Sequence, residues 1–347
     1  MKRVATKFGM TMLRTVFGAA LILGLSGAAS SAQTLKKVKD RGSLICGVSQ
    51  GLPGFSNPDD KGTWTGLDVD VCRAVAAAIF NDPAKVKFLP LSAKDRFTAL
   101  QAGEIDVLAR NSTWTSSRDS SLGITFAAVN YYDGQGFMVR KSLKVNSALE
   151  LNGASVCVQQ GTTTELNLAD YFRSNHMSLK TVTFATVDEA LKAYDSGRCD
   201  AYTTDSSGLY GSRVLLADPG ANIVLPEIIS KEPLSPAVRQ GDDAWEDVVR
   251  WTHHAMLDAE ELGVNTNNVD DQKNSTNPEI RRLLGLEGQF GEGLGLTNDW
   301  AYRIIKAVGN YGEVFERNVG QGSSLKIARG LNALWTKGGL QYGLPVR

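Results

Sequence analysis

The chain has little of what metal and redox sites are built from. It carries three histidines (His176, His253 and His254) and four cysteines in 347 residues, with no C-x-x-C pair. The histidines and cysteines do not share a metal-ligand spacing, so neither a metal nor another cofactor is expected. No excess of charge exists in either direction, with 37 basic against 37 acidic residues. A large basic excess is what a nucleic-acid partner demands, so none is expected. Low-complexity tracts are missing, and no apolar run reaches the ~20 residues that cross a bilayer. What is left is a globular composition long enough for two domains.

The first residues stand apart. MKRVATKFGMTMLR holds four basic residues and no acidic one, TVFGAALILGLSGA is a short apolar run, and ASSAQ supplies small residues. This is the layout of a secretory signal peptide over residues 1–32, cut after Ala32. Removing it takes four basic residues and no acidic one from the balanced total, so the exported chain is mildly acidic. Export also permits disulfides, and four cysteines fit two bridges, Cys157–Cys199 first and Cys46–Cys72 second. Four buried free thiols is the other reading.

Periodicity shows two halves built alike. SLICGVS, VKFLPL and EIDVLAR read as strands, separated by the helical stretches GLDVDVCRAVAAAIF and SAKDRFTALQAG. ASVCVQQ, KTVTFA and RCDAYTTD repeat the plan with the helices TTTELNLADYFR and TVDEALKAYDSG between them. Ser92 to Gly103 and Thr186 to Gly197 each run from an expected helix N-cap to a C-terminal glycine. Thr162 with Glu165 and Thr186 with Glu189 both have capping-box spacing. Alternating strands and helices give parallel-rich sheets with crossover helices, hence two α/β lobes.

Ligands of open parallel sheets sit beyond the carboxyl ends of the strands. Asn111 lies eight positions after Gly103, and Asp205 eight after Gly197, so each falls just past an equivalent strand. If the lobes face each other, these ends line one cleft. RNSTWTSSRD then brings Asn111, Thr113 and Arg118 to it, and GTTTE brings Thr162 and Thr163. A guanidinium can grip a carboxylate with two parallel hydrogen bonds, and exposed N–H groups at a helix start favour an anion. Asp205 suits an ammonium group. A fixed anion site beside a fixed cation site describes a free α-amino acid.

The stretch GLDVDVCRAVAAAI resembles the signature of the family 3 periplasmic solute-binding proteins of polar amino-acid ABC transporters. The likeness continues through DRFTALQAGEIDVLARNSTWTSSRD, YYDGQGFMVRK, QQGTTTE and GRCDAYTTDSS. Within that family it is similar to the general L-amino-acid binding proteins of Gram-negative bacteria. The resemblance implies the type II periplasmic binding fold: two lobes joined by two hinge strands, monomeric, in the periplasm. It implies Arg118 on the ligand α-carboxylate, Thr113 on both charged ends, Thr163 as a main-chain donor, Asp205 on the ammonium and Asn111 beside it. Where many members have a lid tyrosine, this chain has Leu52, which fits broad specificity; Phe55, Trp64 or Trp114 could serve as the aromatic instead. Arg96, on an amphipathic helix, is an exposed charge in one reading and a contact for an acidic or amide side chain in another. Asp68 and Asp70 suit a helix start rather than the ligand.

On this pattern 131–141 is the outward crossing and 224–234 the return. Lobe 1 is then 33–136 with 231–347, lobe 2 is 137–230, and an extension begins near 270. Residues 296–318 read as a helix broken at Gly309–Asn310 whose apolar face packs on lobe 1. The expected partners are a free L-amino acid and the permease subunits of an inner-membrane ABC importer. An amino-acid specialist for Glu, Asp, Gln or Asn is the first alternative. An enzyme on the same scaffold, such as a dehydratase or lyase, is the second, although the repeat places no histidine or glutamate in the cleft. A sensor domain is the third.

Overall fold

The computed structural model describes residues 33–347; the signal-peptide reading of 1–32 lies outside them. Two five-stranded sheets carry the fold. In the first, Leu44–Ser49 lies between Val86–Leu91 and Val107–Leu108, all parallel, and Ala237–Arg239 then runs antiparallel between Val107–Leu108 and Ile124–Phe126. In the second, Ser155–Gln159 lies parallel between Lys180–Phe184 and Ala201–Asp205, followed by antiparallel Gln135–Arg140 and Asn222–Val224. The strand orders are the same, so the sequence repeat is a repeat of topology. In each sheet the antiparallel fourth strand is the segment arriving from the other lobe.

The two crossings pair with each other. Tyr131–Asp133 runs antiparallel to Glu232–Leu234, with Glu232 opposite Asp133 and Leu234 opposite Tyr131. Each lobe also carries one disulfide. Cys46–Cys72 ties the first strand to the helix Leu67–Phe80, and Cys157–Cys199 joins the corresponding strand of the second lobe to the approach of Ala201–Asp205, with Cα atoms 6.2 and 5.7 Å apart.

Capping follows the sequence in part. Thr186 and Glu189 close a full capping box, and Gly103 and Gly197 both end their helices at positive φ. Ser92, expected as an N-cap, is not one. Its hydroxyl bonds the Asp95 carboxylate at 2.5 Å and receives the Asp95 N–H, forming a separate turn, so the helix Arg96–Ala102 starts after Asp95. At Thr162 only half the box forms: the Glu165 N–H reaches the Thr162 hydroxyl, while the Glu165 carboxylate takes the Gly161 N–H.

The broken tail helix forms as two, Trp300–Ala307 and Tyr311–Asn318, the second opened by an Asn310–Glu313 capping box. Trp300, Ile304, Ile305, Val314 and Phe315 enter the lobe 1 core with Val71, Val75 and Met256. Asp70 fixes the contact: its carboxylate receives Arg317 Nε at 2.9 Å and Asn318 Nδ2 at 2.7 Å. Asn332 bonds both backbone groups of Tyr132, so the tail also braces a crossing strand.

Candidate functional site

The carboxyl ends of both sheets open onto one cleft. Its first-lobe wall contains Leu52, Arg96, Arg110, Asn111 and Thr113. Its second-lobe wall contains Thr162, Thr163, Tyr202 and Asp205. The walls touch: Asn111 Nδ2 is 3.4 Å from Asp205 Oδ2, and the Thr113 and Thr163 hydroxyls are 3.2 Å apart. The lobes are therefore closed on each other.

Local rules place each of these groups. Asn111 lies three residues past the strand Val107–Leu108 at φ +31°, a left-handed turn that asparagine tolerates, and its N–H is held by Asp68 Oδ2 at 2.8 Å. Burial raises the Asp68 carboxyl to about 6 against the pull of that N–H. The signature acid thus shapes the site from behind. Thr162 caps the helix Thr163–Ser174; among the described residues, the Thr162 and Thr163 N–H groups at its start have no partner.

Arg118 does not line the cleft among the described residues. It sits beside it on the short helix Ser116–Ser121, where NH1 donates to the Thr113 carbonyl at 2.9 Å and the guanidinium lies 5.1 Å from the Phe97 ring centroid. Arg96 is buried, not an exposed charge: only 3% of it reaches solvent, and among the described residues its Nε has no hydrogen-bond partner. Starting the helix at Arg96 turns that side chain inward. Arg110, which sequence reasoning passed over although it directly precedes Asn111, is equally buried and donates Nε to the Leu91 carbonyl at 2.9 Å.

The aromatic candidates lie elsewhere. Phe55 meets Tyr131 edge-on with centroids 5.3 Å apart, Trp64 packs on Phe88, and Trp114 stacks on Phe126. Each ring is taken up by another ring of lobe 1, and the aromatic in the cleft wall is Tyr202. Leu52 does line the wall.

A glutamate lies behind the cleft wall, against Thr113 and Thr163, brought by the return crossing and not by the repeat. Glu232 is 1% exposed and accepts hydrogen bonds from Thr113 and Thr163 at 2.5 and 2.8 Å, and from Asn167 and Ser230 at 2.7 Å. With four donors on it, it is a structural acceptor and has no free lone pair aimed at a general-base task.

Among the described residues, the opposite charges around this cleft are not joined in ion pairs. Burial, then Arg110 and Arg118, pull the Arg96 guanidinium well below its usual value, and burial brings Arg110 to about 10. Burial, then Asp133 and Glu232, push the Asp205 carboxyl well above the carboxylate range. Among the described residues no ion pair joins the three guanidinium groups to Asp205 or Glu232. Both sets are strained in the direction that an incoming group of opposite charge relieves.

Two α/β lobes joined by paired crossing strands, with a polar charged cleft at their strand ends, define a ligand-binding clamshell. The chain belongs to the bacterial extracellular solute-binding proteins, family 3, whose model matches residues 44–265. It is 62% identical over 338 residues to the general L-amino acid-binding periplasmic protein AapJ of Rhizobium johnstonii, covering 97% of this chain and 99% of that one. It is 57% identical to the glutamate/glutamine/aspartate/asparagine-binding protein BztA of Rhodobacter capsulatus, covering 95% of this chain and 98% of that one. Among solved structures, an ABC transporter periplasmic binding protein from Brucella ovis with glutathione bound superposes with a TM-score of 0.90 at 64% identity, covering 91% of this chain and all of that one.

Proposed function

We propose that the protein is the periplasmic binding component of an ABC importer, capturing free L-amino acids of broad side-chain type and handing them to the permease. The observation that carries this reading is the charge in the cleft: guanidinium groups on the first lobe, Asp205 on the second, and, among the described residues, no ion pair between them. An α-amino acid supplies both missing partners at once. Arg118 and the Thr162 and Thr163 N–H groups receive the α-carboxylate. Asp205, Asn111 and Thr113 receive the ammonium. Arg118 then has to swing from the Thr113 carbonyl into the cleft.

Closure comes from contact with both lobes, 33–136 with 231–347 on one side and 137–230 on the other. The lobe that binds first presents half of the charge pair, and the second completes it as water leaves. Transport without turnover fits the buried Glu232, whose carboxylate is taken up by four hydrogen bonds from the protein itself.

A second ligand class is favoured by one observation. The Brucella ovis relative holds glutathione, whose γ-glutamyl end has a free α-amino and α-carboxylate group, the same charge pair. Arg96, buried with Nε unpartnered in the cleft wall, suits an acid or amide beyond that pair. Titration calorimetry of refolded, ligand-stripped protein with L-glutamate, L-glutamine, L-alanine, L-lysine and glutathione tests the reading. Saturable binding of several amino acids supports it, and heat from none of them removes it.

A further inference from the structure

Glu232 joins parts of the molecule that otherwise move apart. It stands on the return crossing, yet its two oxygens collect Thr113 from the first lobe, Thr163 and Asn167 from the second, and Ser230 from the crossing itself. None of these bonds needs a ligand. A hydroxyl has one proton, and both threonines give theirs to Glu232 Oε2. Their 3.2 Å contact is then between two oxygens whose lone pairs are free. Both threonines line the cleft, so toward its interior they accept and do not donate.

We infer that Glu232 is a positioning residue that bridges the lobes in the closed form and fixes the Thr113 and Thr163 hydroxyls as acceptors. The bridge gives the ligand-free protein a closed population of its own, and a ligand completes a closure that Glu232 has begun. Affinity for every ligand then contains a part unrelated to its side chain, because binding to a fractionally populated form is weakened by that fraction. The acceptor role of the hydroxyls rests on the amino-acid reading above; the bridging role does not.

Glu232→Gln tests both parts. The amide has the same size but replaces one acceptor oxygen with an NH2 that faces donors. Small-angle scattering of refolded, ligand-free protein measures closure with no ligand present. The variant should have a larger radius of gyration than the wild type, and saturating L-glutamine should bring both to one value. Its Kd for L-glutamine and for L-alanine should rise by the same factor, about tenfold. Equal radii without ligand overturn the bridge. A loss confined to one of the two ligands makes Glu232 a ligand contact and also overturns it. Should Glu232→Gln fail to fold by circular dichroism, Asn167→Ala removes one second-lobe donor to Glu232 alone. An unchanged ligand-free radius in that variant contradicts the inference, and an increase supports it.

Discussion

Asn111 and Asp205 face each other across the cleft, Nδ2 to Oδ2 at 3.4 Å, each one lobe's answer to the other. Asp205 ends its strand and is 5% exposed, while Asn111 lies three residues past the end of Val107–Leu108 and is half-buried. Among the described residues the Asp205 carboxylate receives this one long amide contact, while Asp133 and Glu232 repel it.

Asp205→Asn should lower amino-acid affinity by at least about 30-fold, because the amide no longer offers a charge to the ammonium. The ligand-free protein should melt higher at neutral pH. A carboxyl whose pKa is raised on folding contributes stability below its unfolded pKa and loses it as pH rises, and the asparagine has nothing to lose. Calorimetry and thermal unfolding at pH 7 read the two effects.

Gly211 has room for closure only because it lacks a side chain. A Cβ there would lie 2.7 Å from the Pro53 carbonyl oxygen of the opposite lobe. Gly211→Ala should raise the Kd of every ligand about tenfold by obstructing the closed form, while the ligand-free melting temperature stays within roughly 2 °C. Equal affinity in this variant would show that the lobes close less tightly than described.

Arg96→Met separates side-chain reading from the shared charge pair. Loss of the guanidinium should weaken L-glutamate and L-glutamine by about tenfold or more, the worth of a hydrogen bond to a charged group, and leave L-alanine within about threefold. Removing a buried cation with an unpartnered Nε should also raise the ligand-free melting temperature. Competition titrations rank the three ligands.

Asp258 lies far from the cleft, where the tail folds back, and burial with repulsion from Glu261 and Glu279 raises its carboxyl to about 8. Its stabilising contribution is whole below about pH 4 and is lost as pH climbs through 8. Asp258→Asn should therefore raise the melting temperature at pH 9 by roughly 2 °C or more, and by clearly less at pH 5. A shift of equal size at both values would point to packing in place of titration.

Much of this was legible in local sequence rules. Two equal intervals from glycine to strand end placed Asn111 and Asp205, because helix termination and strand direction are settled within a few residues. The break at Gly309–Asn310 was visible for the same reason. Arg96 was harder: an amphipathic pattern gives a face, and the turn that bonds Ser92 to Asp95 decided which way that face pointed. Glu232 was out of reach. Its partners lie on both lobes, up to 119 positions away in the chain, and meet only after two crossings pair. The hold of Asn332 on Tyr132, 200 positions apart, is equally long-range.

Varying the two ends of the ligand tests directly whether the cleft grips both charges of an amino acid. Thermal unfolding of ligand-stripped protein should be followed with L-glutamine, N-acetyl-L-glutamine and L-glutamine α-amide, since a ligand bound to the native state raises the melting temperature. L-glutamine should give a shift and either derivative little or none, because each derivative removes one charge that the cleft requires. Equal shifts with all three would contradict that requirement, and the paired charges of the cleft would not be what grips the ligand.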